Sequence, residues 1–319
     1  MSAPFTLPYE THAVIVGGGT MGADVAIVLA RAACHTIIVE SSENRRALLP
    51  TYIKEGLTKQ SSSDFFDQVS IVSKIEEINW EMIDIAIECV PEKLEIKQHL
   101  FAELEKICSP HTILCSNSSS FPISAISKGL KSNHRMLGLH FFMPAHLVPL
   151  VEVVLGEKSD PELAKPVAEL MRGCGMVPVL VKKDLPGFLA NRMQHALARE
   201  AFHMIDEGIA SPEDVDAAVR FGFGFRFLAA GPVMQRDHAG LEVHTAAAAS
   251  MYPSLATNST PAKVLQERVN RKDLGMKTGQ GFFSWTPESI AIERKRYDDL
   301  LTKGLEIISN ELPSIKKPS

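Results

Sequence analysis

Apolar residues in this chain fall first into short β-branched runs separated by glycines and helical stretches. The run from His12 to Val16 (HAVIV) leads into three glycines, and an apolar-periodic stretch from Met21 to Ala33 follows, which predicts strand, turn and helix. HTIIVE, ending at Glu40, predicts the second strand. Continuous apolar runs recur at 69–73 (VSIVS), 84–90 (DIAIECV) and 112–116 (TILCS), with a helical pattern from Lys93 to Ile107 between the last two. Runs that stay apolar belong to strands buried on both faces, and their alternation with helices predicts a parallel, doubly wound sheet. Two further strands, 135–142 (RMLGLHFF) and 150–155 (LVEVVL), flank a loop containing Pro144 and Pro149, which reads as a hairpin. A helix from about Glu162 to Arg172 and a strand at 176–181 (MVPVLV) complete this half.

After Lys182-Lys183-Asp184 the strand-like runs stop. The connector Asp184 to Gly187, with Pro186 and Gly187, marks a domain boundary that divides the chain into 1–183 and 184–319. The second part is helical: Phe188 to Asp206 ends at Gly208, Ser211-Pro212 starts a new helix with an N-cap serine, and further helical patterns lie around Ala246–Ala249, at 261–270 and at 288–308. Fraying is expected for the last residues, Lys316-Lys317-Pro318-Ser319. No internal repeat or low-complexity segment is visible.

A length of 319 residues favours two domains, and 45% hydrophobic with 22% charged residues is a globular composition able to bury a sizeable core. The net charge of −5 and pI near 6.1 give no attraction to nucleic acid or anionic lipid, so neither is expected as a partner. The opening residues MSAPFTLPYETH lack a charged start leading into an apolar run, and no segment is apolar for long enough to span a bilayer. A cytoplasmic protein is the expectation. Five cysteines (Cys34, Cys89, Cys108, Cys115 and Cys174), with no C-x-x-C spacing, read as reduced core thiols, and no metal site is expected.

Candidate chemistry begins at Gly17-Gly18-Gly19-Thr20-Met21-Gly22. This G-x-G-x-x-G sits where a predicted strand meets a predicted helix, so Gly17, Gly19 and Gly22, with Thr20 and Met21, suit a tight turn that lays a pyrophosphate on the helix N-terminus. Glu40 follows eighteen residues after Gly22 at the tip of the second strand. A carboxylate there binds ribose hydroxyls and repels a 2'-phosphate, which favours NAD over NADP; Ser41, Ser42, Arg45 and Arg46 would form a phosphate pocket only if Glu40 turned away. The first part is thus read as a Rossmann-like NAD-binding domain.

In the hairpin, His140 and Glu152 face each other across a turn centred near His146. The pair suits proton abstraction, since neutral imidazole titrates near working pH and a carboxylate fixes its tautomer. A half-buried His and Glu satisfying each other is equally compatible with the pattern. Resemblance separates the two readings. Gly138-Leu139-His140-Phe141-Phe142-Met143-Pro144 and Leu150-Val151-Glu152-Val153-Val154 resemble the G-L-H-F-F-N-P and L-V-E-V segments of the 3-hydroxyacyl-CoA dehydrogenase family. Ser116-Asn117-Ser118-Ser119-Ser120, Asp184-Leu185-Pro186-Gly187-Phe188-Leu189-Ala190-Asn191-Arg192, Gly231-Pro232 with Asp237 and Gly240-Leu241, and Lys277-Thr278-Gly279-Gln280-Gly281-Phe282-Phe283 are similar to further family motifs in the same order.

Carried over by position, the resemblance implies a general base at His140, an orienting partner at Glu152, and donors to the substrate oxygen at Ser119 and Asn191. It implies cofactor contacts at Glu92, Lys97, Ser119 and Lys277, a second domain that serves substrate binding and homodimerisation, and oxidation of the 3-hydroxyl of an acyl substrate in fatty-acid-type metabolism. His195, on the same helical stripe as Asn191, reads as a structural or rim residue. Two departures bear on the substrate. Met143 stands where the family has asparagine, and the segment from Ser41 to Asn79 looks shorter than the helical hairpin that covers CoA in relatives acting on thioesters. In addition, Arg220-Phe221-Gly222-Phe223-Gly224-Phe225-Arg226 is similar to branches acting on small free hydroxy acids such as gulonate or carnitine, in which Arg226 would clamp a carboxylate. A short 3-hydroxyacyl-CoA and a free 3-hydroxy acid both remain open. A non-catalytic NAD-binding protein and a serine hydrolase are the other classes weighed; the intact His140, Glu152, Ser119 and Asn191 set speaks against the first, and the absence of G-x-S-x-G against the second.

Overall fold

The computed structural model describes residues 7–318; the first six residues, on which part of the expectation about the N-terminus rests, and Ser319 lie outside the described residues. Eight strands make one sheet: β1 (His12–Val16), β2 (His35–Val39), β3 (Val69–Val72), β4 (Ile85–Glu88), β5 (Ile113–Ser116), β6 (Met136–Phe141), β7 (Leu150–Leu155) and β8 (Val177–Val181). Their order is β3-β2-β1-β4-β5-β6-β7-β8. Neighbours pair in parallel except β6 with β7, which form the antiparallel hairpin with His140 opposite Glu152. The helices that pack with it are α1 (Thr20–Ala30), α2 (Glu43–Lys59), α3 (Leu94–Ile107), the single turn α4 (Ile123–Ile126) and α5 (Ala164–Gly173), with α6 (Ala190–Asp206) leading onward.

The two-residue period of each strand deals its side chains to two cores. Ala13, Ile15, Ile85, Ile87, Leu137, Leu139, Phe141, Val151 and Val153 join α1 and α5 on one face. Val14, Ala86, Leu114, Met136 and Val154 join Leu100, Phe101 and Leu104 of α3 on the other. His140 and Glu152, out of phase with their apolar neighbours, are thereby turned to the α3 side. A one-residue slip of the hairpin would put both into the α1 core, so the apolar pattern fixes their register.

Between Ser41 and Asn79 the chain forms the single helix α2, started by Ser42, whose hydroxyl accepts from Arg45 N–H, followed by a 3-10 stretch at Ser63–Gln68. Helix α2 carries Pro50 in its interior, and Ile53 and Leu57 anchor it to the α1 core.

Two compact units divide the chain: residues through Arg192 together with the segment from Ser309 onward, and Met193–Ile308. The sheet unit thus extends past the expected boundary at 183, because Leu189 and Ala190 donate backbone hydrogen bonds to Glu152. The expectation of a frayed C-terminus fails at Lys316 and Lys317. Lys316 N–H bonds the Gly173 carbonyl at 2.8 Å, Ile315 packs against the α1 core, and the Lys317 ammonium reaches Ser62 Oγ at 3.2 Å over the Phe65 ring.

The second unit is helical. Ser211 caps Pro212–Ala218, Thr286 and Ser289 form a capping box at the start of Pro287–Ile307, and Asp206 takes the Lys263 and Val264 amides at the start of Lys263–Arg271. Arg268 lies 4.0 Å above Phe282, which stacks on Phe202. Among the described residues of this unit Ala262 is the one buried apolar side chain, while Phe221 is 74% and Val233 78% exposed. No helix among the described residues is long and apolar enough to cross a membrane.

Candidate active site

Strand β1 ends in a turn that only glycine fills. Gly17 has φ +110, and a Cβ there would stand 2.6 Å from the Cys89 carbonyl oxygen; a Cβ on Gly22 would stand 1.9 Å from the Gly17 carbonyl oxygen. Gly19 faces open space, with nothing within 4 Å of a Cβ, and no side chain caps α1 behind it. The amides of that first turn are left to an outside acceptor, and the helix dipole favours an anionic one. Thr20 is exposed and Met21 half-buried at this turn. Glu40, just past β2, is buried and fixed in place: one carboxylate oxygen accepts from Gly18 N–H at 3.0 Å and the other from Ser42 N–H at 2.8 Å. Arg46 is tied to the carbonyls of Glu40 and Ser41 rather than set toward a phosphate. Turn, uncapped helix and acid together fit the diphosphate and ribose of NAD.

Along the strand ends toward β6 lies a cavity of about 340 Å³, lined by Met21, Cys89, Glu92, Lys97, Asn117, Ser119, His140, Phe142, Met143 and Asn191 among others. His140 and Glu152 are buried, with Nδ1 2.7 Å from Glu152 Oε2 and Nε2 3.0 Å from Ser119 Oγ. The other Glu152 oxygen accepts from Leu189 N–H and Ala190 N–H at the start of α6. Burial alone would raise the Glu152 carboxyl, but the hydrogen bond from His140 and the two amides hold it below the ordinary carboxylate range. An ionised Glu152 only accepts, so Nδ1 carries the proton and Nε2 presents its lone pair to Ser119 and the cavity. The rings of Phe142 and Phe188 flank the imidazole at 4.5 and 5.6 Å.

Asn191 reaches the same place: its amide donates to the Ser119 carbonyl at 3.4 Å, and it is half-buried. His195, one turn further, is exposed. Lys97 is buried, its ammonium 2.6 Å from Glu88 and 3.1 Å from Glu92. Glu92 in turn accepts from the hydroxyls of Ser118 and Ser120; against burial, which raises it, these donors and Lys97 pull its carboxyl to about 2. Glu88 is the buried neighbour of this cluster that sequence reasoning did not single out. It is buried at the end of β4, takes the Ser116 hydroxyl at 2.6 Å as well as Lys97, and has a carboxyl raised by burial. A polar residue closing an otherwise apolar strand was the available signal. Lys277 and Arg226 belong to the helical unit, where both are exposed; Arg226 follows a kink at Gly222.

A dinucleotide turn beside a carboxylate-paired imidazole is the arrangement of an NAD-dependent dehydrogenase acting on CH–OH groups. Residues 12–185 match the family model for the 3-hydroxyacyl-CoA dehydrogenase NAD binding domain and residues 187–285 that for the C-terminal domain, and the chain belongs to this family. It is 31% identical over 295 residues to a 5-formyl-3-hydroxy-2-methylpyridine 4-carboxylate 5-dehydrogenase of Mesorhizobium japonicum, covering 88% of this chain and 94% of that one. It is 33% identical over 313 residues to a 3-hydroxyadipyl-CoA dehydrogenase of Escherichia coli, covering 95% of this chain and 62% of that one. Among solved structures, a 5-formyl-3-hydroxy-2-methylpyridine 4-carboxylic acid 5-dehydrogenase described as an NAD+-dependent dismutase superposes with a TM-score of 0.85 at 30% identity, covering 93% of this chain and 98% of that one.

Proposed function

We propose that the chain oxidises the 3-hydroxyl of a short 3-hydroxyacyl-CoA to the 3-keto product. The observation that carries this is the line from Glu152 through His140 to Ser119, opening on a cavity beside the glycine turn. His140 Nε2 takes the hydroxyl proton, Glu152 stabilises the imidazolium that forms, and Ser119 with Asn191 steadies the oxygen as charge grows on it. NAD, when bound, supplies the ring that accepts the hydride from carbon 3. Gly17, Gly19, Thr20, Met21 and Gly22 receive its diphosphate, Glu40 its adenosine ribose, and Glu92 and Lys97 lie toward its nicotinamide half; Ser119 and Lys277 are cofactor contacts by family resemblance. The reduced thiols favour a reducing compartment, the cytoplasm.

A second reading, a free 3-hydroxy acid with Arg226 as carboxylate clamp, is favoured by the single helix α2 in place of a covering hairpin and by similarity to a dehydrogenase of a pyridine carboxylate. Both readings are tested by following NADH formation at alkaline pH, where release of the proton through His140 favours oxidation, with 3-hydroxybutyryl-CoA and a panel of free 3-hydroxy acids. Turnover of the thioester is expected; turnover of a free acid alone replaces the first reading by the second, and silence on the whole panel rejects both.

We infer further that the helical unit pairs with a second copy of the chain, as the family resemblance implies. A unit with one buried apolar side chain lacks a core of its own, and large exposed apolar surfaces mark association. Light scattering is expected to give a dimer at micromolar concentration, and the pair Val233→Asp and Leu241→Asp a monomer of lower Tm. A monomeric wild-type chain would refute the pairing.

A further inference from the structure

Behind the cavity wall sits a buried carboxylate that the chemistry above does not use. Asp24 of α1 is fully buried, yet no cationic side chain of Lys or Arg pairs with it among the described residues. Its Oδ1 accepts from the Tyr52 hydroxyl of α2 at 2.7 Å, and its Oδ2 from the Ala145 N–H at 3.1 Å. The His146 Nδ1 lies 3.2 Å from Oδ1, within ion-pair range but out of line for a hydrogen bond. Ala145 and His146 belong to the segment between β6 and β7, whose first residues, Phe142 and Met143, line the cavity beside His140.

The same helix grips this segment a second time. Arg31, the C-cap of α1, is buried and directs Nη1 to the His146 carbonyl at 3.4 Å, with Nε on the Cys174 carbonyl at 2.9 Å and Nη2 on the Met176 sulfur. Burial depresses its pKa. Burying a carboxylate and a guanidinium apart from each other is costly unless every remaining hydrogen-bonding position is filled. Here the loop between β6 and β7 supplies one partner to each group, the Ala145 amide to Asp24 and the His146 carbonyl to Arg31, and Tyr52, Gln60, Cys174 and Met176 supply the others.

We propose that Asp24, assisted by Arg31, is a positioning residue for the substrate: it locks the segment 143–149 onto α1 and so fixes Met143 in the cavity wall. Met143 is 64% exposed and has no rigid packing of its own to hold it. Its position therefore depends on what anchors the loop behind it. Since α1 also begins at the glycine turn, one rigid helix sets the substrate wall relative to the cofactor turn. Asp24 touches neither substrate nor cofactor in this arrangement, and its removal acts through Ala145 and His146.

The inference rests on reading this cavity as the substrate site, so its test has one arm that needs no substrate. In Asp24→Ala, amide hydrogen exchange across 142–149 is expected to speed up by at least about tenfold, with exchange in β4 and β5 unchanged. With 3-hydroxybutyryl-CoA, or the free acid that the panel above identifies, KM is expected to rise by about tenfold or more while kcat and the affinity for NADH, read by its fluorescence, stay within about threefold. Asp24→Asn, which keeps an acceptor for Ala145, is expected to restore most of the KM. His146→Ala, a change on the half-buried loop itself, should reproduce part of the effect and covers the case in which Asp24→Ala fails to fold. Unchanged exchange in these variants would overturn the anchoring. Faster exchange with unchanged KM would overturn the positioning role, as would a uniform loss of kcat, NADH affinity and Tm. A wild type silent on the panel rejects the proposed function and leaves the exchange arm to decide the anchoring.

Discussion

His140→Ala is expected to lower kcat by roughly a hundred- to ten-thousand-fold, the usual contribution of a positioned general base, while NAD still binds. The imidazole is the group whose free lone pair faces Ser119 and the cavity, and the glycine turn that receives NAD does not depend on it. The same change strips Glu152 Oε2 of its partner in a fully buried place, at a stability cost of about 1–3 kcal/mol. His140→Gln, which retains a donor toward Glu152, separates the two effects: its kcat should fall as far and its Tm less. The pH dependence of stability gives a further check. Glu152 titrates below its ordinary value in the folded chain, so its contribution is present above the unfolded carboxyl value and is lost as pH falls through the folded one. His140→Ala removes the largest hydrogen bond that lowers it, so the variant should lose less stability than wild type on acidification. Single-turnover NADH formation within tenfold of wild type would remove His140 from the role of base.

Gly22→Ala is expected to lower Tm by several degrees and to weaken NAD binding by at least about tenfold, because the added carbon meets a backbone oxygen at 1.9 Å and the Ile15 side chain at 3.3 Å. Backbone cannot rotate out of the way, so the turn itself must open. Gly19→Ala is the informative contrast. Its Cβ meets nothing within 4 Å and its φ of −69° suits any residue, so Tm should hold and any loss of affinity reports a crowded approach of the diphosphate. Thermal melts of both variants with and without NAD measure the two terms apart; a Gly22→Ala melt coincident with wild type would contradict the close packing of the turn.

Much of the sheet unit was legible because its determinants are local. Strands buried on both faces spell continuous apolar runs, and each of the eight lies within a residue or two of its run. The hairpin register was legible because His140 and Glu152 are equally spaced about a turn centred near His146, and the structure pairs the two residues. What escaped lacks a local signature. Helix α2 has few anchoring apolar residues and a proline in its interior, so its pattern is weak. Asp24 was not singled out because its partner Ala145 comes to it from 121 residues away. The docking of Lys316 on Gly173 is equally non-local. In the helical unit the caps at Ser211 and Thr286 announced helix starts, whereas the kink at Gly222 between Arg220 and Arg226 did not show in the residue pattern.

The placement of the thiols gives the molecule an uneven chemical vulnerability. All five cysteines lie in the sheet unit, and Cys34, Cys108, Cys115 and Cys174 are buried, with Cys108 and Cys174 pushed by burial to about 12. Thiolates, not thiols, react with electrophiles and peroxides, so these four stay inert until the sheet unit opens. Cys89 differs: it is half-buried and lines the cavity, though burial raises its thiol as well. Thiol oxidation in this chain thus waits for local unfolding at four positions, and at Cys89 the cavity gives access to a thiol that burial keeps protonated.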